Sequence, residues 1–245
     1  MSLRTTFAVA RRVLTQLRRD HRTVAMLLVV PCVLLTLLWW MFDGEEAAFA
    51  RFGPPLLALF PFIVMFLVTS VTTLRERSSG TLERLLTTPM GKGDLLAGYA
   101  VAFGGVAVVQ AGLAVGLAVG PLGLDVNGQV WVLAVVAVLD AVLGCALGLL
   151  VSAFAETEFQ AVQFMPAVVL PQVLLCGLFV PRDLMPDVLA AVSDALPLSY
   201  AVDAMQQVQR ASGWTGDLSL DVAVVAGSAL AALAVGTGTL RRRTA

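Results

Sequence analysis

Residues 131–151 read WVLAVVAVLDAVLGCALGLLV, an unbroken apolar run whose single charged side chain is Asp140. A membrane-crossing β-strand alternates apolar and polar residues with period two, and this run does not alternate. It is therefore predicted to be a helix, and its length suits a hydrocarbon core of ~30 Å, which takes about 20 residues at the α-helical rise. Five further stretches qualify, so that the spans fall at about 23–42, 54–74, 96–120, 130–154, 161–180 and 219–240. Backbone groups in lipid must be satisfied within the segment or in a closed barrel, and continuous runs exclude the barrel. The expected fold is an all-α integral membrane protein with six transmembrane helices in one domain over residues 1–245.

Composition agrees: 58 % of the 245 residues are hydrophobic and 13 % charged, against roughly 45–50 % and ~25 % in soluble domains. Mean hydropathy is +0.87. A net charge of -1 leaves no basic field for nucleic acid. Cys32, Cys145 and Cys176 sit far apart in apolar sequence, which fits small buried side chains rather than disulfides or metal ligands.

Charge distribution predicts the orientation. Arg4, Arg11, Arg12, Arg18, Arg19 and Arg22 precede the first span, Arg75, Arg77, Arg84 and Lys92 follow the second, and Arg241, Arg242 and Arg243 end the chain. Thirteen of the sixteen Lys and Arg residues thus share one side, leaving Arg51, Arg182 and Arg210 on the other. By the positive-inside rule both termini are expected in the cytoplasm of a multi-pass cell-membrane protein.

Residues 1–22 carry a long basic region with no small-residue cleavage site after the first span, unlike a removable signal. Leu3, Phe7, Ala10, Leu14 and Leu17 recur at steps of four and three with the arginines mostly elsewhere, which predicts an interfacial amphipathic helix on the inner leaflet. A basic leader that only enforces topology is the alternative.

Residues 75–95 interrupt the oily chain with charge. After Arg75, Glu76 and Arg77 come Ser78, Ser79 and Gly80, then a short helix over residues 81–88 ended by Pro89, with Leu82, Leu85 and Leu86 on one face and Glu83 near its start. So short a leucine face cannot cross a membrane and must dock on the protein's own spans or on a cytosolic partner. MGKGD, residues 90–94, is not a phosphate-binding loop: Leu86 stands where that motif needs glycine, and Gly93 follows Lys92 where it needs a hydroxyl. Lys92 is expected to be solvated or at headgroup level.

ERSSGTLERLLTTPMGKGDLLAGY, residues 76–99, resembles the cytoplasmic element of type-2 ATP-binding-cassette (ABC) exporter permeases, where Gly-Thr-Leu-Glu, Leu-Leu and a proline follow the second span. LFVPRDLMPDVLAAVSDALPLSYAVDAMQQV, residues 178–208, resembles the extracellular connection between that family's fifth and sixth spans. AFAETEFQAVQFMPAVVLPQ, residues 153–172, is similar to the daunorubicin-resistance subgroup of drug exporters. The resemblance implies that Glu76, Gly80, Thr81, Leu82, Glu83, Leu85, Leu86 and Pro89 form a coupling helix that inserts into a groove on a separate ATPase. It further implies two ATPase subunits, a second permease copy (the same chain or a sister chain), membrane lipid around them and a hydrophobic small-molecule cargo. This chain would bind no cofactor, ATP and Mg being held by the partner.

Residues 181–218 are too long and polar for a tight turn yet carry Leu184, Met185, Val188, Leu189, Val192 and Leu196. Two short re-entrant helices broken at Pro186 and Pro197 fit the pattern and the family, and with Tyr200 they would gate the outer exit. A surface-lying linker is the other reading, chiefly for residues 209–218.

Inside the spans, a charged Asp140 costs about 2.5–3.5 kcal/mol on insertion scales, so it must be protonated, paired or wet. It is read either as a cation or proton contact or, preferably, as a protonated packing hydrogen bond. Gln110, Gln160, Gln163 and Gln172 should face the protein interior, and Gln163, Phe164 and Gln172 are candidates to line a pathway beside Pro166 and Pro171. Gly112, Gly116 and Gly120, and Gly144 with Gly148, are expected in internal helix packing, a dimer seam being the alternative. Glu156 and Glu158 have no basic neighbour in sequence. An ion- or proton-coupled transporter using Asp140 is the competing class, although no inverted repeat accompanies it. No Ser/His, paired-Asp or His/Glu metal constellation in the spans supports an intramembrane enzyme.

Overall fold

The computed structural model describes residues 3–79, 91–210 and 213–239. Nine α-helices follow one another there: α1 (Leu3–Arg19), α2 (His21–Met41), α3 (Glu46–Ser78), α4 (Lys92–Val119), α5 (Val130–Ser152), α6 (Glu158–Leu175), α7 (Asp187–Ala195), α8 (Pro197–Arg210) and α9 (Gly216–Thr239), with a 3-10 turn at Arg182–Leu184. Helices α2 to α6 and α9 are long and apolar enough to cross a membrane, six as expected. α7 and α8 meet at 91°.

Local chemistry sets the helix ends. Asp20 caps α2 by accepting from the Thr23 amide at 3.1 Å and its hydroxyl at 2.7 Å. Gly44, at φ +81°, turns the chain between α2 and α3. Pro54, Pro55 and Pro61 lie buried inside α3, which starts well before the expected 54. α6 also departs from its expected limits of 161–180. The Thr157 hydroxyl accepts from the Gln160 amide at 3.2 Å and starts the helix early, while Gly177 at φ +86° turns the chain just after Leu175.

α3 and α5 form the centre of the bundle, where Gly144 and Gly148 lie against the α3 backbone. A Cβ at Gly148 would stand 2.5 Å from the Phe66 carbonyl oxygen, and one at Gly144 would collide with that of Phe62. Gly112 and Gly116 correct the sequence expectation, because a Cβ on either meets nothing within 4 Å. α4 packs instead through Ala107, Ala111, Ala114 and Ala118, all buried, on the opposite side of the helix.

The apolar stripe predicted on α1 is divided. Ala10 and Leu17 are buried together with Thr6, Val9 and Val13, whereas Leu3, Phe7 and Leu14 are 78, 61 and 41 % exposed. The buried face packs on α4, where Gly98 admits Val9: a Cβ at Gly98 would lie 2.5 Å from that of Val9. At the opposite end of the bundle, Trp131 at the start of α5 stacks on Trp214 ahead of α9, with ring centroids 5.8 Å apart.

Candidate functional site

The last turn of α3 aims three consecutive side chains at different helices, as a 100° step per residue requires. Arg75 meets Glu158 of α6 through two contacts of 3.0 Å, one from Nε and one from Nη2. Both side chains are half exposed, so this fork fixes geometry more than it adds stability. Arg77 donates to the carbonyl of Ser152, the last residue of α5, where a helix dipole favours a cation. Between them Glu76 is buried at 8 % exposure, accepts from the Tyr99 hydroxyl of α4 and pairs with Arg12 of α1, N to O 3.2 Å. Four helices are thus tied to the turn from which residues 80–90 leave.

Of the expected coupling residues, Gly80, Thr81, Leu82, Glu83, Leu85, Leu86 and Pro89 lie outside the described residues. Glu76 is described, and it points into the bundle as a junction rather than outward as a contact. Glu158, without a basic neighbour in sequence, finds Arg75 in space. That partner stands 83 residues away, beyond any local pattern.

At the other end, Pro186 precedes α7 and Pro197 opens α8, matching the expected breaks. Tyr200 donates its hydroxyl to the Asp194 carbonyl at 2.8 Å, and the Arg182 guanidinium lies 5.0 Å over its ring while pairing with Asp194 and Asp203. Ser193 donates to the Leu175 carbonyl at 2.7 Å, which hooks the bent pair onto the end of α6.

The polar residues within the spans are not brought into one lining. Gln163 is exposed on α6, whereas Gln172, on the opposite face of that helix, is 3 % exposed and donates to the Val168 carbonyl at 3.1 Å. Phe164 packs against Leu74, Ala155 and Ala161. Asp140 is fully buried, and neither carboxyl oxygen has a hydrogen-bond partner among the described residues. Gln110 faces inward as expected, donating to the Leu27 carbonyl at 2.8 Å. Sequence reasoning missed Asp221 of α9, which is 6 % exposed and accepts from Gln207 of α8 at 2.6 Å. Its signal was the same as that of Asp140, an acid inside an apolar run.

Six long apolar helices in this order, with a cross-braced turn at the end of the second, define a polytopic helical membrane protein. The family profile described as "ABC-2 type transporter" matches residues 4–209, and the chain belongs to that family. It is 28 % identical over 169 residues to the probable multidrug ABC transporter permease YbhR of Escherichia coli, covering 69 % of this chain and 45 % of the relative. The probable multidrug permease YbhS of the same organism is 28 % identical over 147 residues, 60 % of this chain and 39 % of the relative. ABC transporter G family member 20 of Dictyostelium discoideum is 24 % identical over 169 residues, 69 % of this chain and 23 % of the relative. The chain thus matches less than half the length of these curated relatives.

Proposed function

We propose that this chain is the membrane-spanning subunit of an ATP-driven exporter of hydrophobic, drug-like or lipid-like molecules, of the daunorubicin-resistance kind. It works as a pair of permeases with two separate ATPase subunits that bind and hydrolyse ATP with Mg. Both termini lie in the cytoplasm, α1 lies along the inner leaflet, α7 and α8 re-enter the outer one, and Leu82, Leu85 and Leu86 seat in the ATPase. The multidrug designation of two bacterial relatives supports the cargo class. The observation that carries the reading is the bracing of the last turn of α3. Any displacement of residues 80–90 acts through Glu76 on α1 and α4, through Arg77 on α5 and through Arg75 on α6. Such a junction converts a partner's movement into helix movement only if the partner binds the two states unequally.

The test is the double substitution Leu85→Asp/Leu86→Asp in cells that also make the ATPase. Normal permease levels, loss of ATPase co-purification and loss of export are expected; undiminished export would sink the proposal. A second reading, proton-coupled transport through Asp140, draws on the burial of that carboxyl without a partner. Asp140→Asn separates the two: export persists if ATP drives it and stops if the proton does.

A further inference from the structure

The end of the bundle opposite α1 holds an open cleft that the proposed mechanism leaves unused. It has two compartments of about 620 and 520 Å³ that share Gly177, Pro181, Gln206 and Arg210. The first is lined by Asp183, Asp194 and Asp203, of which Asp194 and Asp203 pair with Arg182. The second is lined by Arg51 of α3 and Arg210 of α8 together with apolar Phe52, Pro54 and Leu178.

Neither guanidinium is in salt-bridge contact with a carboxylate among the described residues, although Arg210 lies near enough to Asp203 for its charge to favour that carboxylate. Arg51 lies 5.4 Å over the ring of Phe52, and Arg210 donates to Gln206 at 3.3 Å. An arginine fork is matched by the paired oxygens of a carboxylate or phosphate, and two forks on one compartment make it selective for an anion. The apolar lining selects an apolar body, and the volume falls within the range of small-molecule sites. We propose that this compartment binds one anionic amphiphile, its carboxylate or phosphate head between Arg51 and Arg210 and its apolar body along Phe52, Pro54 and Leu178. The ligand would join α8 to the start of α3, and the site stands whether or not the chain is an exporter.

Such a molecule comes from the bilayer or from solution. The purified chain in a neutral maltoside detergent is titrated with phosphatidylglycerol, with lysophosphatidic acid and with an uncharged monoacylglycerol, and bound stoichiometry is read by native mass spectrometry. One anionic amphiphile per chain is expected, with affinity lowered about tenfold or more in Arg51→Gln/Arg210→Gln, as loss of charge-assisted hydrogen bonds requires. That affinity should be unchanged in Arg4→Gln/Arg11→Gln/Arg18→Gln, which alters the arginines of α1. Preference for phosphatidylglycerol identifies a bilayer lipid, and preference for lysophosphatidic acid a free amphiphile. The proposal is overturned if neither anion binds, if the monoacylglycerol binds equally well, if the Arg51/Arg210 variant binds as the parent does, or if the α1 variant abolishes binding. Thermal unfolding of each variant without ligand reports whether its fold is intact.

Discussion

At the scale of single residues, the approach of α3 to α5 depends on hydrogens standing where other residues carry a methyl. Gly148→Ala places a Cβ 2.5 Å from the Phe66 carbonyl oxygen, and backbone cannot yield as a flexible side chain would. We expect it to cost about 1–3 kcal/mol, the usual penalty for overpacking, seen as a lowered melting temperature in detergent. Gly112→Ala is the matched control: nothing lies within 4 Å of its Cβ, so it should gain the ~0.5–1 kcal/mol of helix preference that alanine holds over glycine. Sequence spacing did not separate these two glycine rows, because a small residue every fourth position marks a smooth face without saying what lies opposite. Asp140 was easier to single out, since an acid in an apolar run is conspicuous whatever surrounds it. Glu76 was recognisable as important but not as buried, because both partners come from other helices.

At the scale of the element, α1 and α2 meet at Asp20, where capping makes the junction sensitive to acid. The Thr23 hydroxyl and amide donate to its carboxylate and hold its pKa below the ordinary 3.8. A group whose folded pKa is depressed stabilises above its unfolded pKa and loses that contribution as pH falls through the folded value. Asp20→Ala should therefore cost about 1 kcal/mol at neutral pH, the usual worth of an N-cap. Melting curves of parent and variant should converge as pH falls through 3.8, where the carboxyl is half protonated in the unfolded chain, and on through the lower folded value. A gap that persists at low pH would remove the cap as its cause. Helix ends were legible where a single residue sets them, as at Pro186 and Pro197. The orientation of α1 was not, since its apolar residues cover more than one face and only packing on Gly98 selects Val9 over Phe7.

At the scale of the whole molecule, α6 leaves much of its surface open. Leu170 and Leu174 are 50 and 60 % exposed, and the exposed amide of Gln163 is costly in lipid unless something polar meets it. A second copy across this face would meet that need. In a background lacking Cys32, Cys145 and Cys176, Gln163→Cys should be joined into a dimer by a short bifunctional thiol reagent in native membranes, while a cysteine at Val109 of α4 should not. A monomer in both cases would exclude α6 from the pairing face. Six spans were readable because hydropathy is a property of the local chain. The braces joining Arg75 to Glu158 and Gln207 to Asp221 were not, because they exist only once distant helices have packed.

The stacked indoles of Trp131 and Trp214 offer an optical gauge in the unmodified protein. Their rings lie within 8° of parallel and 5.8 Å apart, close enough for their strong far-ultraviolet transitions to couple and contribute to the circular dichroism. The other two tryptophans, Trp39 and Trp40, lie at the end of α2, so a change in the coupled band would report separation of the start of α5 from the approach to α9. Helix movement during a transport cycle could then be followed in real time without attaching a label.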